Sequence, residues 1–286
     1  MSSLSEIKNL GKMEGRNLLH KLRVVSNLRV SPGYFKMVLF APRIAQSAYP
    51  GQFIYLLVEN TCFPLLRRAF SVHRVREEKG EIEILCKIRG EGTKLLSRKR
   101  EGEEIEAIGP LGRGFECFSR EDYQAVVLVG GGVGIAPLVF LGERIKNRKG
   151  MKVLVLIGAK RREEVLCVKD FQDLGYKVEV ATEDGSQGRK ALVSELLAEH
   201  LANAEVCAYN VVYSSGPLPM LKEVARISGE YRLSSYVCVE QKMGCGIGVC
   251  RGCAIGVIDK QGRRGYKRVC RDGPVFEGGE IDWTYV

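Results

Sequence analysis

Four cysteines near the C-terminal end constrain this chain more than any other feature. Cys245, Cys250, Cys253 and Cys270 stand at the spacing C-x4-C-x2-C-x16-C. That is the plant-type ligand pattern of a [2Fe–2S] cluster, in which two sulfide-bridged irons take two thiolates each. A loop delivers the first three thiolates only if its backbone wraps closely round the cluster. Gly246, Gly248 and Gly252 suit that wrap, since a residue without Cβ takes positive φ and approaches closely. A structural zinc site is the alternative, but it favours paired C-x2-C units, and only Cys250 and Cys253 form one. Disulfides belong to an oxidising compartment. The polar stretch from Met1 to Arg16 has no apolar segment of the kind a secretory leader carries.

Upstream of the cysteines the pattern of the chain changes once. From His20 to Glu106, short apolar/polar alternations are punctuated by Pro and Gly, giving candidate strands at Lys21–Arg29, Tyr34–Phe40, Gln52–Val58, Ala69–Val75, Glu81–Ile88 and Glu103–Ala107. Strands this short and close together predict a small antiparallel barrel. From Tyr123 strands and helices alternate. Strands are expected at Ala125–Val129, Lys152–Ile157, Lys177–Ala181 and Asn210–Tyr213, with helices starting near Ile135, Glu163, Lys190 and Leu218. That is the pattern of a parallel nucleotide-binding sheet. A last strand, Tyr236–Val239, leads into the cysteine loop. The expected fold is therefore an N-terminal antiparallel β-barrel, a parallel-sheet α/β domain and a C-terminal cluster subdomain. Their expected bounds are 20–120, 121–235 and 236–286, after a tail over 1–19.

Leu128-Val129-Gly130-Gly131-Gly132-Val133-Gly134-Ile135-Ala136-Pro137-Leu138 follows a buried strand and opens a helix. Gly130, Gly131, Gly132 and Gly134 let the backbone lie against a pyrophosphate, and the helix N-terminus offers free N–H groups. Tight strand-to-helix packing also selects glycine. The stretch Ala125 to Gly142 is uncharged for 18 residues, but its glycines and Pro137 read as strand, loop and helix rather than a membrane span. Glu183-Asp184-Gly185-Ser186 and Ser214-Ser215-Gly216-Pro217-Leu218-Pro219-Met220 fall at the C-terminal ends of strands, where open α/β sheets bind ligands. Ordinary turn chemistry explains both equally well. In the barrel, Arg67-Arg68-Ala69-Phe70-Ser71 sets two cations beside a hydroxyl, and Arg89-Gly90-Glu91-Gly92-Thr93-Lys94 is a Gly turn opening a helix. Both suit phosphate.

A formal charge of +10 raises nucleic-acid binding, but the basic clusters are short and carry no interleaved aromatics. They read as solvated surface or as a docking face for an acidic partner or a phosphorylated cofactor. Six of the ten cysteines (Cys62, Cys86, Cys117, Cys167, Cys207, Cys238) read as small buried hydrophobes in a reducing compartment. His20, His73 and His200 lie far apart in sequence and form no metal motif. No transmembrane segment is expected.

Taken in order, these motifs and Gly109-Pro110-Leu111-Gly112 closely resemble the ferredoxin–NADP reductase-like flavoproteins. Within them they resemble the electron-transfer subunits of NAD-dependent dihydroorotate dehydrogenase. The resemblance runs from about Leu22 to Ile281, ending in Val269-Cys270-Arg271-Asp272-Gly273-Pro274-Val275-Phe276. It implies FAD in the barrel, held at Arg68, Ala69, Phe70 and Ser71 and at the N–H groups of Gly92 and Thr93. It implies NAD at Gly130–Gly134, with Gly216 and Pro217 beside the nicotinamide, and a [2Fe–2S] cluster on Cys245, Cys250, Cys253 and Cys270. It names no catalytic side chain. The implied partner is a cytoplasmic FMN-containing catalytic subunit that oxidises dihydroorotate in pyrimidine biosynthesis, two copies with two of this chain. Electrons would run from FMN through cluster and FAD to NAD. The small subunit of NADH-dependent ferredoxin–NADP oxidoreductase (sulfide dehydrogenase) and hydrogenase diaphorase subunits share the architecture. The paired Arg67-Arg68 with Ser71 favours the dihydroorotate branch. Three features depart from the family pattern: the N-terminal tail, the long segment Ala254–Val269, and the basic run Lys160-Arg161-Arg162 after the second α/β strand. Arginine there accommodates a 2′-phosphate, which leaves NADP open. Glu163 and Glu164 follow, and NAD is the expectation.

Overall fold

The computed structural model describes residues 18–59, 61, 63–115, 123–148, 150–202 and 209–284. The expected tail lies almost wholly outside them, as do Cys62, Cys117 and Cys207. In the first half, β1 (Leu19–Ser31), β2 (Tyr34–Phe40), α1 (Pro42–Ser47), β3 (Phe53–Leu57), β4 (Arg68–Ser71), β5 (Arg74–Arg76), β6 (Glu81–Lys87), α2 (Glu91–Leu96) and β7 (Glu104–Leu111) follow in order. The strands form one antiparallel sheet ordered β4-β3-β7-β1-β2-β6-β5. β4 and β5 are its two edges, yet only Val72 and His73 separate them in the chain. The sheet must therefore roll until its edges meet. The Val72 N–H donates to Gln52 O at 3.0 Å and the His73 N–H to Glu83 O at 2.8 Å, one to each side of the seam. The strand expected over Ala69–Val75 is thus two strands with the barrel's closure between them. Leu22, Val24, Met37, Leu39, Ile54, Leu56, Ile82 and Ile84 fill the interior at the alternate positions that one face of a strand provides.

The second half contains β8 (Ala125–Gly131), a 3-10 turn at Gly132–Ile135, α3 (Ala136–Lys146), β9 (Lys152–Ala159), α4 (Val168–Asp173), β10 (Lys177–Thr182), β11 (Arg189–Lys190), α5 (Val193–Ala202), β12 (Val211–Ser215), α6 (Leu218–Glu230) and β13 (Ser234–Cys238). β8 is buried along its whole length, as a parallel strand covered on both faces must be. The sheet order is β11-β10-β9-β8-β12-β13-β16, parallel except for the last strand, β16 (Val275–Glu277). Leaving β8, the chain winds outward through β9 and β10, then returns to β12 on the other side. The C-terminal ends of β8 and β12 are therefore the switch point where such sheets form a crevice. Two helix starts differ from expectation. Glu163 and Glu164 lie in a 3-10 turn tied to the barrel, where the Ser31 hydroxyl donates to Glu163 O at 2.7 Å and Lys87 pairs with Glu164 at 3.3 Å. α4 starts only at Val168. Lys190 ends a short strand, and α5 starts at Val193.

The long segment from Ala254 onward carries regular structure. It folds as a hairpin of β14 (Ala254–Ile258) and β15 (Arg264–Arg268), followed by α7 (Val269–Asp272) and β16 (Val275–Glu277). At the hairpin's turn the Asp259 carboxylate accepts from the N–H groups of Gln261 and Arg263, each at 2.9 Å. Ile255, Val269 and Phe276 pack with Phe53 and Tyr55 of the barrel and Val237 of the α/β sheet. β16 runs antiparallel to β13 and so closes the nucleotide sheet's edge.

Barrel and α/β domain meet across a charged seam. Arg74, next to the closure, pairs with Glu143 of α3 at 2.5 Å and with Asp170 of α4 at 3.1 Å, and lies 3.7 Å from Glu83 of β6. Glu83 is almost fully buried, and Arg76 also meets it at 2.8 Å. Removing Arg74 leaves the partly buried Glu143 without its partner, while Glu83 keeps Arg76 and Asp170 keeps Lys36, and an uncompensated charge in such a seam is costly. Arg74→Ala is therefore expected to lower unfolding free energy by about 3–5 kcal/mol. Cutting the exposed Arg226–Glu223 pair should cost far less, because water already solvates both charges. Denaturant unfolding of both variants checks the contrast.

Candidate functional site

β4 and the turn before α2 bring the barrel's motif residues to one wall of a cleft of about 280 Å³, lined by Arg68, Ala69, Phe70, Ser71 and Thr93. Phe53 and Leu85 supply apolar surface from the barrel, and Val133 and Ala136 supply it from the glycine-rich turn. The two arginines diverge. Arg67 is drawn outward to the Glu106 carboxylate, whereas Arg68 turns into the cleft. A Cβ on Gly92 would stand 3.2 Å from Arg68 Nε, so the bare glycine lets the guanidinium lie against the turn. Thr93 Oγ1 accepts from the N–H groups of Arg89 and Gly90 at 2.9 and 3.2 Å, which fixes that turn. An apolar slot with one hydroxyl and one guanidinium, whose Nη1 also donates to the carbonyls of Leu66 and Arg67, matches what a flavin and its pyrophosphate require.

Across the cleft the two glycine loops of the sheet touch at the switch point. A Cβ on Gly134 would lie 2.5 Å from Gly216 Cα, and one on Gly131 would lie 2.8 Å from Pro217 Cδ. No side chain other than hydrogen fits between these loops. Gly132 has a φ of 53°, which turns the chain from β8 into α3. The arrangement leaves backbone N–H groups at the mouth of a crevice, a cradle suited to a dinucleotide pyrophosphate. Lys160, Arg161 and Arg162 follow β9 at the sheet's C-terminal edge, and the Arg162 N–H donates to Ser186 Oγ at 2.8 Å. The Glu183–Ser186 turn therefore adjoins the basic run. Asp184 Oδ1 accepts the Ser186 hydroxyl at 2.6 Å.

The third wall of the cleft is Cys238, Val239, Glu240, Gln241 and Met243, the segment that runs from β13 into the cysteine loop. Tyr55 of β3 donates its hydroxyl toward Met243 O and Gly244 O at 2.9 and 3.1 Å, and a Cβ on Gly246 would fall 2.7 Å from the Tyr55 ring. The loop thus sits directly on the strand beside β4. Its turns are made by Gly246 and Gly248, at φ of 72° and 86°, and by Arg251 at 60°. Gly252, expected to share that role, is not left-handed; its missing Cβ would lie 3.6 Å from Cys250 Sγ. Backbone N–H groups of Cys250, Gly252 and Cys270 face the sulfurs of Cys245, Cys250 and Cys253 at 3.4, 3.4 and 3.5 Å. Arg268 holds the loop from behind, donating to Gly248 O at 3.0 Å and pairing with Asp272 at 3.0 Å.

The thiols differ in proton affinity. Burial works to raise Cys245, but N–H groups of Cys250, Ile247 and Val249 outweigh it and hold the thiol at about 6. Burial, with Cys253 beside it, pushes Cys270 up to about 12. Thiolates gathered around one loop repel one another unless a cation sits among them, and the N–H groups aimed at these sulfurs fit the sulfur-rich surface of an iron–sulfur cluster.

Sequence reasoning missed Lys87, Cys238, Glu240 and Met243 as cleft residues. Cys238 is buried, as expected of a small hydrophobe, but it also faces the cleft and hydrogen-bonds Ser215. None of the four sits in a motif. Their position at strand ends around the flavin motif was the available signal.

The comparisons with known proteins agree with this geometry. Residues 240–282 match the iron-sulfur cluster binding domain of dihydroorotate dehydrogenase B, and residues 128–226 match the oxidoreductase NAD-binding domain. Among solved structures, that of the NADH-dependent reduced ferredoxin-NADP oxidoreductase superposes with a TM-score of 0.80 at 28% identity, covering 96% of this chain and 92% of that one. A ferredoxin NADP+ reductase from Neisseria gonorrhoeae with bound FAD and NADP shares the fold, with a TM-score of 0.61 at 18% identity over 76% of this chain and 92% of that chain. Fold and site define a flavin- and iron–sulfur-dependent oxidoreductase of the ferredoxin-reductase type, with FAD, a [2Fe–2S] cluster and NAD as its cofactors. The electron transfer subunit of dihydroorotate dehydrogenase B (NAD(+)) from Caldanaerobacter subterraneus subsp. tengcongensis is 41% identical over 261 residues, covering 91% of this chain and 97% of its own. The corresponding subunit from Desulforamulus reducens is 37% identical over 261 residues, with the same coverage of both chains. This chain belongs to the family of dihydroorotate dehydrogenase B electron transfer subunits.

Proposed function

We propose that this chain passes electrons from an FMN-containing catalytic subunit that oxidises dihydroorotate, through its own cluster and flavin sites, to NAD+. The observation that carries this reading is the shared cleft, where the flavin motif, the glycine-rich turn at Val133 and Ala136, and the approach to the cysteine loop form its three walls. When bound, the flavin supplies the exchange between the hydride of a nicotinamide and the single electrons of an iron–sulfur cluster.

The residues have separate tasks. Arg68 neutralises the FAD pyrophosphate, helped by the N–H groups of Gly92 and Thr93, while Ala69, Phe70 and Ser71 line the ring site with one hydroxyl. Gly130, Gly131, Gly132 and Gly134 present N–H groups to the pyrophosphate of NAD, and α3 adds its positive end. Gly216 and Pro217 leave room for the nicotinamide at the switch point. Cys245, Cys250, Cys253 and Cys270 hold the irons. No side chain of this subunit acts as nucleophile or general base.

The cluster loop has a buried and an exposed side. Cys253 and Cys270 are buried, whereas Cys250 is exposed and Val249 beside it is 75% exposed. The exposed rim is the docking side for the catalytic subunit, in a two-plus-two assembly in the cytoplasm. Among the described residues, no helix is long and apolar enough to cross a membrane. We divide the chain as tail 1–19, flavin barrel 20–120, nucleotide domain 121–235 and cluster subdomain 236–286. Identities of 35–41% to dihydroorotate dehydrogenase B subunits, against 28% to the ferredoxin-NADP oxidoreductase structure, support this branch. The test is co-purification from the native source, followed by dihydroorotate with NAD+ or NADP+. Reduction of NAD+ that depends on a co-purifying FMN protein is expected. A preparation that oxidises NADH with an artificial acceptor but ignores dihydroorotate would move the chain to a sister reductase, and faster NADP+ reduction would assign the basic run to a 2′-phosphate.

A further inference from the structure

The seam between barrel and α/β domain brings together three side chains that are far apart in sequence. His73 comes from the barrel's closure, and Cys167 and Asp170 flank the start of α4. One ligand atom from each lies within 4.8 Å of the other two. His73 is fully buried. Its Nδ1 lies 2.9 Å from Ala136 O, and a carbonyl can only accept, so Nδ1 carries the proton and Nε2 presents a lone pair. Nε2 has no hydrogen-bond partner among the described residues. A ring held through one nitrogen by a backbone carbonyl, with the other nitrogen unpartnered on a ring that neighbours a thiol and a carboxylate, is the arrangement of a metal-ligating histidine. Cys167 takes a left-handed φ of 64°, a conformation that costs a residue with a Cβ about 1–2 kcal/mol.

We propose that His73 Nε2, Cys167 Sγ and an Asp170 oxygen form a site for one zinc-class divalent ion that clips the flavin barrel to the nucleotide domain. Nitrogen, thiolate and carboxylate together suit zinc, which takes four ligands and leaves the fourth place to water. Zinc distances of about 2.0 Å to nitrogen and oxygen and about 2.3 Å to sulfur set how closely the three atoms must gather. Binding exchanges the Cys167 S–H bond for a metal–sulfur bond and releases one proton to solvent. Cys167 and Asp170 are partly exposed, which gives the ion a path in. Lys36 and Arg74 also reach Asp170, at 3.6 and 3.1 Å. The carboxylates of Glu83 and Glu143 meet those cations and keep the seam near neutrality when the ion and the thiolate enter together.

The test uses the holoprotein with flavin and cluster in place. Zinc is titrated in competition with a chromophoric chelator, while iron release is followed to exclude exchange at the cluster. One zinc per chain is expected, with affinity more than about a hundredfold lower in Cys167→Ser, beyond what loss of an outer-shell partner costs. Cobalt(II) in place of zinc should give a thiolate charge-transfer band in the wild type and none in Cys167→Ser. Zinc should raise the unfolding midpoint of the wild type alone. Flavin and cluster absorbance report folding of the variant; if Cys167→Ser loses them, Asp170→Asn gives the same comparison. No stoichiometric zinc on the wild type, or equal affinity in wild type and variants, overturns the site. Neither result touches the electron-transfer reading.

Discussion

Cys250→Ser is expected to reduce dihydroorotate-driven NAD+ reduction to background. Serine offers a hard oxygen where the cluster's irons take soft thiolates, and the N–H of Gly252, which faces Cys250 Sγ at 3.4 Å, loses its sulfur acceptor. The flavin wall does not depend on that sulfur. Arg68, Ser71 and Thr93 are held by β4 and the turn before α2, and the loop meets the barrel through Tyr55 and Gly244. NADH oxidation with an artificial two-electron acceptor should therefore change by about twofold or less, the spread expected between independent sites. Steady-state assays of both activities on one preparation, with iron content measured, check the split. Equal loss of both would make the cluster a structural element of the flavin site.

Gly134→Ala should produce the complementary phenotype. Its Cβ would fall 2.5 Å from Gly216 Cα and 2.8 Å from Gly216 N. Those atoms are backbone and cannot swing aside, so the two glycine loops must separate. Overpacking of this kind costs about 1–3 kcal/mol and displaces the N–H groups that face the nucleotide; about 3 kcal/mol of lost contact there is about a hundredfold in affinity. Flavin and cluster absorbance should persist, and reduction of the cluster by dihydroorotate in the complex should continue. NADH binding, measured by flavin bleaching under anaerobic titration, should weaken about a hundredfold on the same conversion. Unchanged NADH affinity would remove the Gly130–Gly134 loop from the nucleotide site.

Cluster spacing and the glycine loop were legible in sequence because their chemistry is local. Four thiolates on one short segment leave few metals to choose from, and a glycine run between a buried strand and a helix states its backbone requirement directly. The order of strands also carried the barrel and the parallel sheet. What stayed hidden depends on long-range register. Ala69–Val75 reads as one alternating strand, and only closure of the rolled sheet splits it at Val72-His73. Arg67 and Arg68 read as a matched pair until Glu106 of β7 claims the first. The hairpin of β14 and β15 carries five register pairs, but its second strand holds Gly265 and three cations, and it looks like loop. His73 and Cys167 are 94 residues apart in the chain, so no spacing rule could join them.

The central claim is a relay from dihydroorotate to NAD+ through this chain. The most direct test mixes the intact complex with dihydroorotate in the absence of NAD+ and freezes samples for electron paramagnetic resonance. The signal of a reduced [2Fe–2S] cluster should appear on this chain, and NADH should form when NAD+ is then added. A cluster that stays oxidised while NADH still forms would contradict the relay.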